Sequence, residues 1–208
     1  MISNILIGVS IALSASLQPG PLQAFYLAKV AQLGWRRTLP AAFAPLLSDG
    51  PIALVSILLI NILPPAFRDW LQLGGGILLF YLAWSAFKNW QKDQDPEPEE
   101  EGPAPQTIFQ AALINLLNPA PYLGWSLIMG PALLTAWSER PILAIALLVS
   151  FYFTLISTSM VLIYLIGRTA SLGPGVRKSF NLISALLLAG LGSYFLYQAG
   201  TRLAASFV

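Results

Sequence analysis

The chain has 208 residues, of which 56% are hydrophobic and only 10% charged, with a formal charge of +2 and a mean hydropathy of +0.70. A soluble domain is about 45–50% apolar and about 25% charged, so too few charges are present to cover a water-facing surface. That excludes a soluble enzyme, and the absence of a basic stripe excludes a nucleic-acid binder. With no Cys and no His, the chain has no disulfide framework, no thiol relay and none of the usual haem or zinc ligands. No cofactor and no bound metal are expected.

In chain order, long uncharged stretches predict six membrane spans, at residues 5–28, 39–63, 70–87, 107–136, 142–166 and 180–203. About 20 helical residues cross a hydrocarbon core of about 30 Å. The first 28 residues carry no charge, so they lack the basic start of a cleavable signal peptide and are expected to be a retained span. Between the third and fourth spans, residues 88–106 are polar. Six of the nine acids fall at positions 93–101, among prolines, which predicts a disordered linker. The expected organisation is therefore a first half at residues 1–90, a linker at 91–106 and a second half at 107–208.

Basic residues set the expected orientation. Lys29, Arg36, Arg37, Lys88, Lys92, Arg168, Arg177 and Lys178 fall on one side, and Arg68, Arg140 and Arg202 on the other. The richer side is expected to be cytoplasmic, with both termini outside.

The two halves resemble each other. Leu17-Gln18-Pro19-Gly20-Pro21 in the first span matches Leu117-Asn118-Pro119-Ala120-Pro121 in the fourth, at an offset of 100. A weaker likeness links Gly75-Gly76-Ile77-Leu78-Leu79 with Ser184-Ala185-Leu186-Leu187-Leu188, and shared apolar composition accounts for much of it. Three spans per half means that the second copy enters the membrane from the opposite side. The expected fold class is an all-α integral membrane protein of two inverted three-helix repeats.

Proline inside a helix removes a hydrogen bond and clashes with the preceding turn, at about 3 kcal/mol or more. Two prolines one residue apart should break the first and fourth helices, which is tolerated at membrane depth only against protein or a wet cavity. A broken helix exposes N–H groups and a partial positive charge that can hold a carboxylate. The other informative residue is Asp49 in the second span. An acid at a helix centre costs about 2.5–3.5 kcal/mol on the insertion scale, so it should face the bundle or water. Ser48, Gly50 and Pro51 around it suggest irregular backbone. Asp49 could bind a substrate ammonium, carry a coupling proton or hold a structural partner. Gln18, Asn115, Asn118, Tyr122 and Ser126 could add neutral polar contacts. Asp69 and Glu139, beside Arg68 and Arg140 at span ends, are expected to be solvated, and Lys29 to reach the interface. The runs at Gly74–Gly76 and Gly190–Gly192 fit either close helix packing or a subunit interface, which leaves a homodimer open.

On Gln18-Pro19-Gly20-Pro21, on Asn115-Leu116-Leu117-Asn118-Pro119-Ala120-Pro121-Tyr122 and on the acid of the second span, the sequence resembles the lysine-exporter (LysE/RhtB) family of bacterial amino-acid efflux transporters. The resemblance implies a multi-pass protein of the bacterial inner membrane that exports amino acids or similar small zwitterionic or cationic metabolites, by proton-driven exchange. The partners it implies are a small-molecule substrate and the lipid bilayer. With the residue reading above, substrate binding is expected at Gln18, Pro19, Gly20, Pro21, Asp49, Asn115, Asn118, Pro119, Ala120, Pro121 and Tyr122, and proton coupling at Asp49. Where family members often show Gly-x-x-x-Gly-Asp, this chain has Ala44-Pro45-Leu46-Leu47-Ser48-Asp49, with Pro45 expected as an additional break. A metal-cation or lipid transporter on a related bundle is the alternative. An intramembrane enzyme would need a nucleophile–base pair or an acidic cluster, which the chain does not offer.

Overall fold

The computed structural model describes residues 1–59, 65–91, 104–170 and 173–206, and every element in it is helical. The expected disordered linker lies for the most part outside the described residues; its ends are helical, at Gln91 and at 104–106. The first span is two helices, α1 (Ile2–Leu17) and α2 (Pro21–Leu33), bent by 60° about residues 18–20. The second is a continuous helical run of α3 (Trp35–Thr38), a 3-10 stretch (Leu39–Phe43) and α4 (Ala44–Leu59). The third is α5 (Pro65–Gln91). The fourth divides into α6 (Ala104–Leu117), α7 (Pro119–Gly124), a π turn (Trp125–Met129) and α8 (Gly130–Glu139). The fifth and sixth are α9 (Pro141–Ala170) and α10 (Pro174–Ser206).

Among the described residues three helices are long and apolar enough to cross a membrane, or four if the bent α1–α2 pair is one span. The side chains are sorted as a bilayer demands. Large apolar residues such as Leu6, Leu54, Ile77, Phe153 and Leu186 face outward, while the interior is rich in alanine (Ala12, Ala42, Ala86, Ala111, Ala144). Lipid tails are as apolar as leucine, so helices in a bilayer associate through small residues that let backbones approach.

Close approaches fall where the glycines are. A Cβ at Gly8 would stand 2.3 Å from Ser150 Oγ on α9, and one at Gly167 would stand 2.3 Å from Trp35 Cβ. Along the α5–α10 seam, Gly76 faces Leu196 and the Gly192 carbonyl, and Gly192 faces Phe80. Gly75 faces the Leu117 carbonyl, where a Cβ would stand 2.6 Å away. These glycines of the two runs are used inside the chain, whereas Gly190 meets nothing. The helices pair as α1 with α9, α5 with α10, and α4 with α6, while α2 runs through the middle against α10, α9, α6 and α5.

Two local expectations are corrected. Asp49 does not sit in irregular backbone: α4 is a regular α-helix around it, with Pro51 inside. The irregular stretch comes earlier, at Leu39–Phe43. Pro45 is no break, because the helical run continues through it from the 3-10 stretch into α4. Asp69 is not a solvated charge. It is 6% exposed, and Arg202 Nη1 stands 3.5 Å from its Oδ1, tying the start of α5 to the end of α10. Gln72 belongs to the same knot, donating from Nε2 to Gln198 Oε1 at 2.8 Å. Glu139 is exposed, in line with expectation.

Candidate functional site

The two proline motifs fold into breaks of different construction. At the first, Gln18 is extended and Gly20 precedes Pro21, the first residue of α2, with no side-chain cap. Gln18 and Pro19 are exposed, Gly20 is half-buried and Pro21 buried. The last carbonyls of α1 have lost their helical donors, and Gln23 supplies one, its Nε2 donating to the Ser16 carbonyl at 2.9 Å.

At the second break, Asn118 is the extended residue, and its Oδ1 accepts from Ala120 N at 3.1 Å, capping α7. Pro119 takes the first helical position, where its fixed φ fits and its missing N–H costs nothing. Pro119 is buried, Pro121 half-buried and Ala120 exposed. The Tyr122 hydroxyl donates back across the break to the Leu116 carbonyl at 3.0 Å. The braced carbonyls, Ser16 and Leu116, stand at the same offset of 100 as the proline motifs.

Asn115, three residues before Asn118, reaches into α4. Its Nδ2 donates to Asp49 Oδ1 at 3.0 Å and to Ser48 Oγ at 2.8 Å, and Ser48 in turn donates to the Ala44 carbonyl at 3.2 Å. Asp49 and Asn115 are both buried. The Tyr152 hydroxyl on α9 and the Trp125 indole N–H in the π turn complete the polar surroundings of the carboxylate. Four segments thus meet at one acid: α4, α6, the π turn and α9.

The rings around it form one aromatic wall. Trp125 and Phe151 pack edge to face with centroids 6.4 Å apart, and Phe151 and Tyr152 do the same at 5.1 Å. Ile52, one turn after Asp49, belongs with these rings to one apolar cluster that also includes Ala12 of α1. The π turn has a local cause. Pro131 has no N–H to offer the preceding turn and crowds its carbonyl, and a widened turn relieves both.

The structure therefore brings together Asp49 and Asn115, with Asn118 and Tyr122 shaping the break just beyond. The acid's polar partners come from none of Gln18, Pro19, Gly20 and Pro21. Pro21 instead lines a small apolar cleft with Gly75, Leu78, Leu79, Ile114, Leu117 and Phe195, so the two breaks adjoin through that cleft on another side of α6. Lys29 is half-buried, with Nζ 5.7 Å from the Phe25 ring centroid. Among the described residues no group of three or more His, Cys, Asp and Glu gathers.

Residues 13–199 match the family described as LysE type translocator. The chain belongs to that family. The translocator is accordingly a membrane transporter and not an enzyme. No curated protein and no solved structure matches it.

Sequence reasoning missed Ser48 as a partner, and missed Trp125, Tyr152 and Gln23 altogether. A signal existed for two of them. Amphipathic aromatics belong at the membrane interface, whereas Trp125 and Tyr152 stand well inside their predicted spans, where each polar tip needs a partner.

Proposed function

We propose that the translocator is a secondary exporter of amino acids or similar small zwitterionic or cationic metabolites, coupled to protons and working by alternating access. The observation that carries this reading is the buried Asp49 carboxylate, an acid set inside its span away from either end and held by side chains from the second half of the chain. An intramembrane acid kept at that cost has a use. Here it receives the substrate ammonium and exchanges it for a proton. Asn115 positions the carboxylate, and Tyr122 and Asn118 hold the adjoining break. Gln18, Pro19, Gly20 and Pro21, with Pro119, Ala120 and Pro121, form the hinges and the substrate's path. The uncapped amides at the start of α2 are the better receptor for a substrate carboxylate, because Asn118 already occupies Ala120 N at the other break.

Six spans in two inverted halves underlie the mechanism in this reading. Two features support it besides the motif offset. The carbonyls braced across the breaks are equivalent in the two halves, and the packing partners exchange under the repeat. The first helix of the first half packs on the second helix of the other (α1 on α9), and the converse holds for α6 on α4, while the third helices pair with each other. Rocking one half against the other would open the site to each side in turn. The membrane is the bacterial inner membrane, with both termini outside.

Flux in proteoliposomes tests this. With a proton gradient imposed, an amino-acid panel is expected to include at least one member whose movement depends on the gradient and on Asp49. No gradient-dependent flux across the panel would refute the exporter reading.

A further inference from the structure

Helix α10 carries buried polar groups toward both of its ends, and the two ends are finished differently. Near the C-terminus the groups are paired. Arg202 Nη1 stands 3.5 Å from both Asp69 Oδ1 and Gln72 Oε1, Gln72 donates to Gln198 Oε1, and Gln198 donates to the Tyr194 hydroxyl. A polar clasp thus ties α10 to the start of α5.

At the other end Asn181 and Ser184 are buried three residues apart, on one face of the helix. Asn181 Oδ1 and Ser184 Oγ have no hydrogen-bond partner. The Tyr26 hydroxyl on α2, which packs on α10, lacks one too, although the Ser159 hydroxyl of α9 is close by. These are the buried side-chain atoms left unpaired among the described residues, and they lie in or beside one apolar cluster, which holds Tyr26, Ala185 and Leu188. A buried polar atom without a partner is destabilising, and native interiors rarely keep one. This end is also the basic one. Past Leu33 the chain runs into Arg36 and Arg37, and Trp35 beside them packs on Gly167, next to Arg168. Basic residues gather on the cytoplasmic side of a membrane protein.

We propose that Tyr26, Asn181 and Ser184 line the cytoplasmic entrance of the transport path, closed in this conformation, and that α2 parts from α10 there to admit a small polar solute with its water. The inference rests on the exporter reading, which supplies the second conformation. Once wetted, each atom gains the partner it lacks, so the open form is stabilised where the closed form is weakest. Two hydroxyls and an amide offer donors and acceptors without a fixed charge. That suits passage of a zwitterionic or cationic solute rather than its capture. The clasp keeps the far end of α10 on α5 while the basic end moves.

The chain has no cysteine, so a single introduced thiol reports alone. Asn181→Cys and Ser184→Cys in inverted membrane vesicles are treated with a charged methanethiosulfonate, beside Ala199→Cys, a fully buried position at the clasped end. The first two are expected to react at least about tenfold faster than the third, and faster than they do in right-side-out vesicles. Equal rates at the three positions, or faster reaction from the outer face, overturn the proposal. Ser184→Ala removes one unpaired hydroxyl. Full-length protein carrying it should melt at or above the wild-type temperature in detergent, and adding it to Asn181→Cys should slow the labelling. A lower melting point would mean that the hydroxyl holds the closed form together, and would overturn the proposal as well. Failure of the exporter reading shows separately, as thiols that label from the cytoplasmic face in a protein with no amino-acid flux.

Discussion

The two breaks start from nearly the same five residues and end as different devices. Both interrupt a helix because proline withholds an N–H, and both lend a side chain to the carbonyl two residues before the gap. The residue at the gap then separates them. Gln18 is exposed and caps nothing, so α2 begins at Gly20 without a side-chain cap. Asn118 has a side chain one methylene shorter, which folds back onto Ala120 N and closes the end of α7. Three residues earlier, Asn115 fastens the second break to Asp49, and the first break has no such tether to the acid. A duplicated motif has thus become an uncapped break in one half and a capped break, tethered to Asp49, in the other.

The largest expected difference comes from cutting that tether. Asn115→Leu removes a hydrogen bond to a buried carboxylate, a loss of about 1.5–3 kcal/mol, and it should reduce flux as well as the melting temperature. An unchanged melting point would mean that Asp49 does not depend on the second break. Next is Gly75→Ala. Its Cβ would stand 2.6 Å from the Leu117 backbone oxygen, which cannot swing away as a side chain could. Overpacking of this kind costs about 1–3 kcal/mol, and here the strain falls directly on the second break.

Asn118→Ala removes a cap and should destabilise by about 1 kcal/mol, whereas Gln18→Ala at the equivalent position should stay within about 0.5 kcal/mol. Paired melting curves sharpen the comparison, and equal shifts would erase it. The effect expected of the braces is no larger than that of the cap. Gln23→Met and Tyr122→Phe each leave one carbonyl short of a donor, at about 1 kcal/mol or less, and the two should be alike if the braces are equivalent.

What could be read from the sequence was local. Proline chemistry placed both breaks, because a missing N–H acts within one turn. Asp49 stood out because a charge in an apolar run is costly wherever it points. The composition of the partners did not follow, since Tyr152 and Trp125 reach Asp49 from positions about 75 to 100 residues away through helix packing that no short pattern encodes. Asp69 was misread for the same reason: its neutralising partner, Arg202, is 133 positions downstream. Pro45 and Pro51 were given too much weight near Asp49, because the helical run continues through both. The braces at Gln23 and Tyr122 were within reach of a local reading, had the orphaned carbonyls of each break been followed to a donor.

The account stands on Asp49 as the group that takes and releases the transported cation. The most direct measurement is initial flux in proteoliposomes across a range of pH, wild type beside Asp49→Asn. The amide keeps the size and can still meet Asn115, but it neither ionises nor carries a proton. The account predicts that flux falls at least about tenfold, and that whatever remains no longer varies with pH. Flux in Asp49→Asn equal to wild type, with the same pH profile, would contradict it.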